Sequence, residues 1–176
     1  GHIERFNPAM LCAEGFIKKP LFIESHRISS FKSRVKDIGV VLDLMVHDID
    51  IILQLTKSRI VKIEATGIPV LTKFEDIANA RIVFASGCIA NITVSRVSLK
   101  HMRKLRLFQK DSYISIDFAE PSALILKKQA KLIKKVNCKI VKSEPLLNEL
   151  ESFIDSVIRR KVPKVTGEDG KNALEI

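Results

Sequence analysis

The chain has 176 residues, enough for one domain with a full core and too few for two of ordinary size. Hydrophobic residues make up 46% and charged residues 28%, which excludes a disordered chain, and charge breaks the apolar run "VLDLMVHDIDIILQL" before it could cross a bilayer. The net charge is +10, but with no Trp and a single Tyr to stack on bases the cations do not read as a nucleic-acid surface.

The first predicted element is a helix from about Pro8 to Lys18, with Asn7 placed to cap it and Pro8 suited to its first turn. "LFIESHRIS" alternates apolar and polar residues and reads as a strand, followed by a loop through "FKSRVKDIG". A helix from about Val40 to Leu55 comes next. From residue 60 the period changes to two, and "IVKIEATGIPV", "IANARIVFAS", "CIANITVSRVS", "LRLFQK", "YISIDF", "ALILKK" and "LIKKVNCKIV" are strand candidates. Short turns such as Ser86-Gly87 and Lys110-Asp111 make them antiparallel hairpins. Lysines alternate with Leu, Ile and Val over residues 126–142, the pattern of a solvated hairpin blunting a sheet edge, with a phosphate-binding surface as the other reading. "SEPLLNELESFIDSVIRRK" returns to the helical period with an apolar stripe, and Thr166 with Asp169 forms a capping-box start to a last helix. The fold class is α+β: a large, predominantly antiparallel sheet with helices on one face and the other face free for association.

Cys12, Cys88 and Cys138 are widely spaced and contain no CxxC pair. They read as reduced core thiols of a cytoplasmic protein rather than a metal or disulfide framework. The sequence has neither an initiator Met nor a signal-peptide layout at its start, so the expectation is a piece of a longer protein.

The helix from Val40 carries an unusual polar stripe. At about 100° per residue, Asp43, His47 and Asp50 fall within about 60° of one another on a helix otherwise built of Leu, Ile, Val and Met. A carboxylate beside an imidazole raises its pKa and fixes its orientation, which suits general acid–base chemistry; a buried histidine satisfied by a neighbouring carboxylate is the structural alternative. A metal site is not expected, since there is no HExxH and the remaining histidines are scattered. Asp48 lies off the stripe and reads as a solvated or loop-bonding residue. Arg27 and Arg34 bracket the preceding loop, as diphosphate ligands or as surface partners of Glu24 and Asp37. Arg96, Lys100 and Arg103 end a strand and could line the same cleft or an oligomer interface.

"GVVLDLMVHDIDIIL" resembles the signature helix of the C-terminal domain in the glucose–fructose oxidoreductase / inositol dehydrogenase / MocA family of NAD(P)-dependent dehydrogenases, whose Asp-x-x-x-His-x-x-Asp pattern is matched by Asp43, His47 and Asp50. "GHIERFNPA" resembles the segment leaving the family's nucleotide-binding domain, "ANARIVFASGCIANITVSRVS" its sheet hairpin and "TGEDGKNALEI" its closing motif. The first and the signature helix are together similar to members that oxidise the 3-hydroxyl of a UDP-linked N-acetylglucosamine.

The resemblance implies a glyceraldehyde-3-phosphate-dehydrogenase-like C-terminal domain lacking its Rossmann half. Residues 1–20 would be the segment leaving the missing nucleotide-binding domain, and residues 21–176 the substrate-binding and oligomerisation domain. His47 would take the proton of a sugar hydroxyl while hydride leaves for NAD or NADP, with Asp43 orienting His47 and stabilising its charge. Arg5 and Asn7 would lie near the substrate cleft, joined by Arg27 and Arg34. Asp50 would contact substrate or hold the helix to a neighbouring turn. No GxGxxG and no Glu-Lys-Pro occurs, so the chain is expected to bind no cofactor and to be inactive by itself. The expected partners are a sugar or nucleotide-sugar substrate, the missing Rossmann domain and further copies in a dimer or tetramer, with no nucleic acid and no membrane. The rival reading is a non-catalytic interaction module that keeps the fold.

Overall fold

The computed structural model describes residues 1–32 and 37–176. A short 3-10 turn, Ile3–Phe6, leads into α1, Pro8–Glu14. Eight strands follow: β1 Phe22–Ile28, β2 Ile60–Ile68, β3 Ile77–Phe84, β4 Ile89–Ser95, β5 Met102–Phe108, β6 Ser112–Asp117, β7 Ser122–Gln129 and β8 Leu132–Val136. Helix α2, Val46–Thr56, lies between β1 and β2; α3, Pro145–Ile158, and α4, Gly167–Leu174, close the chain. The strands form one sheet in the order β2-β3-β4-β1-β5-β6-β7-β8.

The hairpin signals hold from β2 to β4 and from β5 to β8, where each neighbouring pair is antiparallel. The run of hairpins is interrupted between β4 and β5, where β1 is inserted, parallel to β4 and antiparallel to β5. The crossover through α2 carries the chain to the far edge of the sheet, and β3 and β4 then fold back until β4 lies beside β1. The lysine-rich hairpin is β7–β8, and β8 is an edge strand, where ammonium groups discourage further strand pairing.

One sheet face is apolar and lies under the helices: Ile23, Ile82, Phe84, Ile92, Leu105, Leu107, Ile114 and Ile116 are buried together with Ile51 and Ile52 of α2. The opposite face, with Glu24, Asn79, Arg81, Asn91, Arg106 and Tyr113, is half-buried or exposed. Asn7 caps α1 as expected, its Oδ1 accepting from the Ala9 N–H at 3.0 Å, although α1 ends at Glu14 rather than Lys18. The capping box at Thr166 and Asp169 is present in both directions. Helix α3 forms where the helical period predicts it, with its apolar stripe left unburied. None of its residues is buried, and Leu146, Leu150, Phe153, Ile154 and Val157 are each at least half exposed. The helix is held to the chain start by Asn148, which donates to the Phe6 carbonyl at 3.2 Å, so its apolar stripe faces outward.

The expectation of three reduced thiols is corrected. Cys12 of α1 and Cys138, beyond β8, are joined in a disulfide with their Cα atoms 5.7 Å apart, while Cys88 is free and buried. A separation of 126 residues hides such a pair from any reading by spacing. With it, cysteine usage no longer argues for a reducing compartment. No helix among the described residues is long and apolar enough to cross a membrane.

Candidate active site

Helix α2 begins with a π-turn, Val41–Met45, in which the Val46 N–H reaches the Val41 carbonyl. Such wide turns inside helices recur at functional sites because they re-aim side chains. Here the turn keeps Asp43 and His47 on one wall of a cavity of about 280 Å³. Glu4 and Arg27 form another part of the wall, and Ser29, Lys32, His101 and Arg103 come from the segment after β1 and the start of β5. No hydrogen bond joins Asp43 to His47 among the described residues. Any influence of Asp43 on the imidazole in this state therefore acts through space.

His47 is half-buried. Burial first, and then the positive charge of Arg27, push its pKa below the ordinary 6.5, with Asp48 opposing. This reverses the expectation that a nearby carboxylate would raise it. The lowered pKa favours the neutral imidazole, the form able to accept a proton. His2 stands edge-on to it, ring centroids 5.8 Å apart, and places its Nδ1 3.6 Å from Asp50.

Asp48 is not solvated. It is buried, accepting from Arg27 Nε at 2.8 Å and from the Ser25 hydroxyl at 2.8 Å. Arg27 also donates to Glu4 at 3.2 Å, so it is a buried cation with two carboxylate partners rather than a surface partner of Glu24 or Asp37. Glu4 is the hub of this wall: it accepts from Asn7 at 3.2 Å and lies 3.6 Å from Arg103. The signal for this network was present in β1, where Ile23, Ser25 and Arg27 share the buried face. An arginine on an inward strand position requires a carboxylate opposite it.

The remaining candidates are dispersed. Asp50 is fully buried away from the cavity and takes Arg5 in a two-pronged contact, with Nε donating at 2.7 Å. Arg5 also lies 3.5 Å from Asp169, tying α2 to α4. Asn7 braces the chain start against Glu4 and the Phe118 carbonyl. Arg34 lies outside the described residues. Arg96 borders the cavity but is engaged by Asp76 at 2.6 Å, the Ile38 carbonyl and the Thr72 hydroxyl.

Only Gly87 of the seven glycines has a positive φ, and it occupies the β3–β4 turn rather than a loop opening a helix. The described residues also contain no cluster of three His, Cys, Asp or Glu side chains able to hold a metal ion.

An α-helical wall carrying an aspartate and a histidine is set against a broad mixed sheet. The family model "GFO/IDH/MocA C-terminal domain" matches residues 12–114, and the chain belongs to the GFO/IDH/MocA family. It is 32% identical to a UDP-N-acetylglucosamine 3-dehydrogenase of Acidithiobacillus ferrooxidans, covering 99% of this chain and 58% of that protein. The solved structure of the 3-dehydrogenase GnnA from the same organism matches with a TM-score of 0.90 at 31% identity, over 99% of this chain and 57% of that one. Levoglucosan dehydrogenase in complex with NADH and levoglucosan matches with a TM-score of 0.83 at 13% identity, over 98% of this chain and 60% of the other, a likeness of fold alone. The chain thus spans somewhat over half the length of the relatives it matches.

Proposed function

We propose that this chain is the substrate-side domain of an oxidoreductase that oxidises a hydroxyl of a nucleotide-linked sugar to a ketone. The hydride acceptor, NAD or NADP, would be held by a nucleotide-binding half outside these 176 residues, since their sequence contains no GxGxxG loop. The observation that carries the reading is His47, a neutral imidazole on the cavity wall beside Asp43.

In this reading His47 accepts the hydroxyl proton as the carbon loses hydride. A base kept neutral at working pH is suited to that step, and Asp43 offsets the positive charge that the imidazole then gains. The Arg27–Asp48 pair fixes the helix one residue beyond His47, so the base is held on a rigid element. Asp50 and Arg5 hold α2 against α4 and support the site from behind.

Two surfaces support the larger assembly. Glu149 of α3 lies beside Gly1, where any preceding domain would be tethered, and Gly1 and Ile3 also border the cavity. A nucleotide-binding half there would cover α3 and the cavity. On the uncovered sheet face Phe22, Phe108 and Tyr113 form a row with ring centroids 5.7 and 5.1 Å apart, beside Glu24 and Arg106, and this surface of mixed charge and aromatic area suits a second copy.

The test is turnover by the protein of the full reading frame, read as reduced nicotinamide, across UDP-sugars and phosphate-free polyols. Reduction with a UDP-sugar is the expected result. A folded protein that reduces nicotinamide with none of them leaves the interaction-module reading.

A further inference from the structure

The arginines that border or adjoin the cavity are mostly committed to the fold. Arg27 is buried between Asp48 and Glu4, and Arg96 is buried on Asp76. Arg5 is on Asp50 and does not reach the cavity. None of these can turn to a ligand without giving up an ion pair with a buried carboxylate, which costs several kcal/mol.

Three other basic side chains remain on the cavity wall. Lys32 and His101 are exposed and have no ion-pair or hydrogen-bond partner for their side chains among the described residues. The Arg103 side chain is 38% exposed and only 3.6 Å from Glu4, a carboxylate already shared with Arg27 and Asn7. They come from two segments, the one after β1 and the one entering β5. Those segments are joined where Ser98 N–H donates to the Ser29 carbonyl at 3.2 Å and Ser29 N–H to the Ser95 carbonyl at 2.9 Å. The basic groups are therefore brought together by ordered backbone. The adjoining wall offers Asp43 as the uncommitted carboxylate, beside His47.

We infer that Lys32, His101 and Arg103 form the anion-binding end of the cavity and take the diphosphate of a nucleotide-linked substrate, with the sugar directed to His47. This rests on the dehydrogenase reading above. A planar guanidinium and an ammonium meeting two linked phosphates give charge-assisted hydrogen bonds, the strongest polar contacts open to such a site. The polarity also orders the substrate. The phosphate end is drawn to the exposed basic groups and repelled from Asp43, leaving the sugar hydroxyls to the imidazole.

Calorimetric titration of the 176-residue chain with UDP, uridine, pyrophosphate and free N-acetylglucosamine tests this without turnover. UDP is expected to bind about tenfold or more tightly than uridine, and pyrophosphate to compete with it. Arg103→Gln and Lys32→Gln should each weaken UDP by roughly tenfold, with Arg103→Lys recovering part of the loss. Uridine binding as tightly as UDP, or UDP affinity unchanged in both glutamine variants, overturns the assignment, as does a folded chain that binds no UDP. UDP binding lost in the variants, in a protein whose full reading frame turns over no sugar, upholds the subsite and removes the dehydrogenase reading. Turnover of phosphate-free sugars without UDP affinity does the reverse.

Discussion

Arg27 on β1 and Asp48 on α2 meet as a buried ion pair, Nε to Oδ2 at 2.8 Å, one residue beyond His47. Both side chains are almost wholly inaccessible, and Ser25 and Glu4 complete their hydrogen bonding. Removing one partner strands the other. Asp48→Ala is expected to destabilise the chain by about 3–5 kcal/mol. Urea denaturation monitored by circular dichroism measures it, and a change below about 1 kcal/mol would show that the pair holds nothing in place.

Asp76 anchors the turn after β2 in the same manner. Its Oδ2 accepts the N–H groups of Val70, Leu71 and Thr72 at 2.8, 2.6 and 2.8 Å, and its Oδ1 meets Arg96. Although burial opposes it, these bonds hold the carboxyl far below its usual range. A depressed carboxylate stabilises the fold above its unfolded pKa and loses that contribution as pH falls below it. Acid unfolding should therefore steepen below the ordinary value of 3.8 and be blunted in Asp76→Asn, which is itself less stable at neutral pH.

His47 has the same sign, in a higher pH window. Burial and Arg27 lower its pKa from 6.5, so the unfolded chain binds the extra proton first as pH falls. The stability tied to a neutral His47 is complete above 6.5 and declines as pH drops from there towards the folded value. The acid limb of turnover should correspondingly lie below 6.5. Titration of the imidazole C–H resonances by NMR reads the shift directly; a midpoint above 6.5 would contradict it.

The Cys12–Cys138 bridge makes a simple count. Unfolded without reductant, the chain should show one reactive thiol, that of Cys88, and three after reduction. Closing a loop of this length should make the oxidised chain more stable by about 4–5 kcal/mol. Three thiols before reduction would restore the reading of an unbridged chain.

The sequence made the sheet legible because its strands alternate against one buried face and their turns carry Gly87 and Asp111. The cavity wall was legible in part: Asp43 and His47 share a helix face, and local spacing is enough to show that. Asp50 shares the same nominal stripe but faces Arg5 and α4, because the π-turn and the crossing of α4 alter what each side of α2 meets. Contacts set by distant segments left weaker traces. Glu4 finds Arg27 across 23 residues, Arg5 finds Asp50 across 45, and Cys12 finds Cys138 across 126. Arg27 was singled out for its charge, yet its inward position on β1 marked it as a structural cation.

The most direct test of His47 as proton acceptor compares His47→Asn with the parent protein in the full reading frame, following nicotinamide reduction with a UDP-sugar. Both should fold alike and bind UDP alike, while turnover falls by about 10²–10⁴-fold. Turnover that survives the substitution unchanged would contradict the assignment, leaving His47 a packed histidine beside an ion pair.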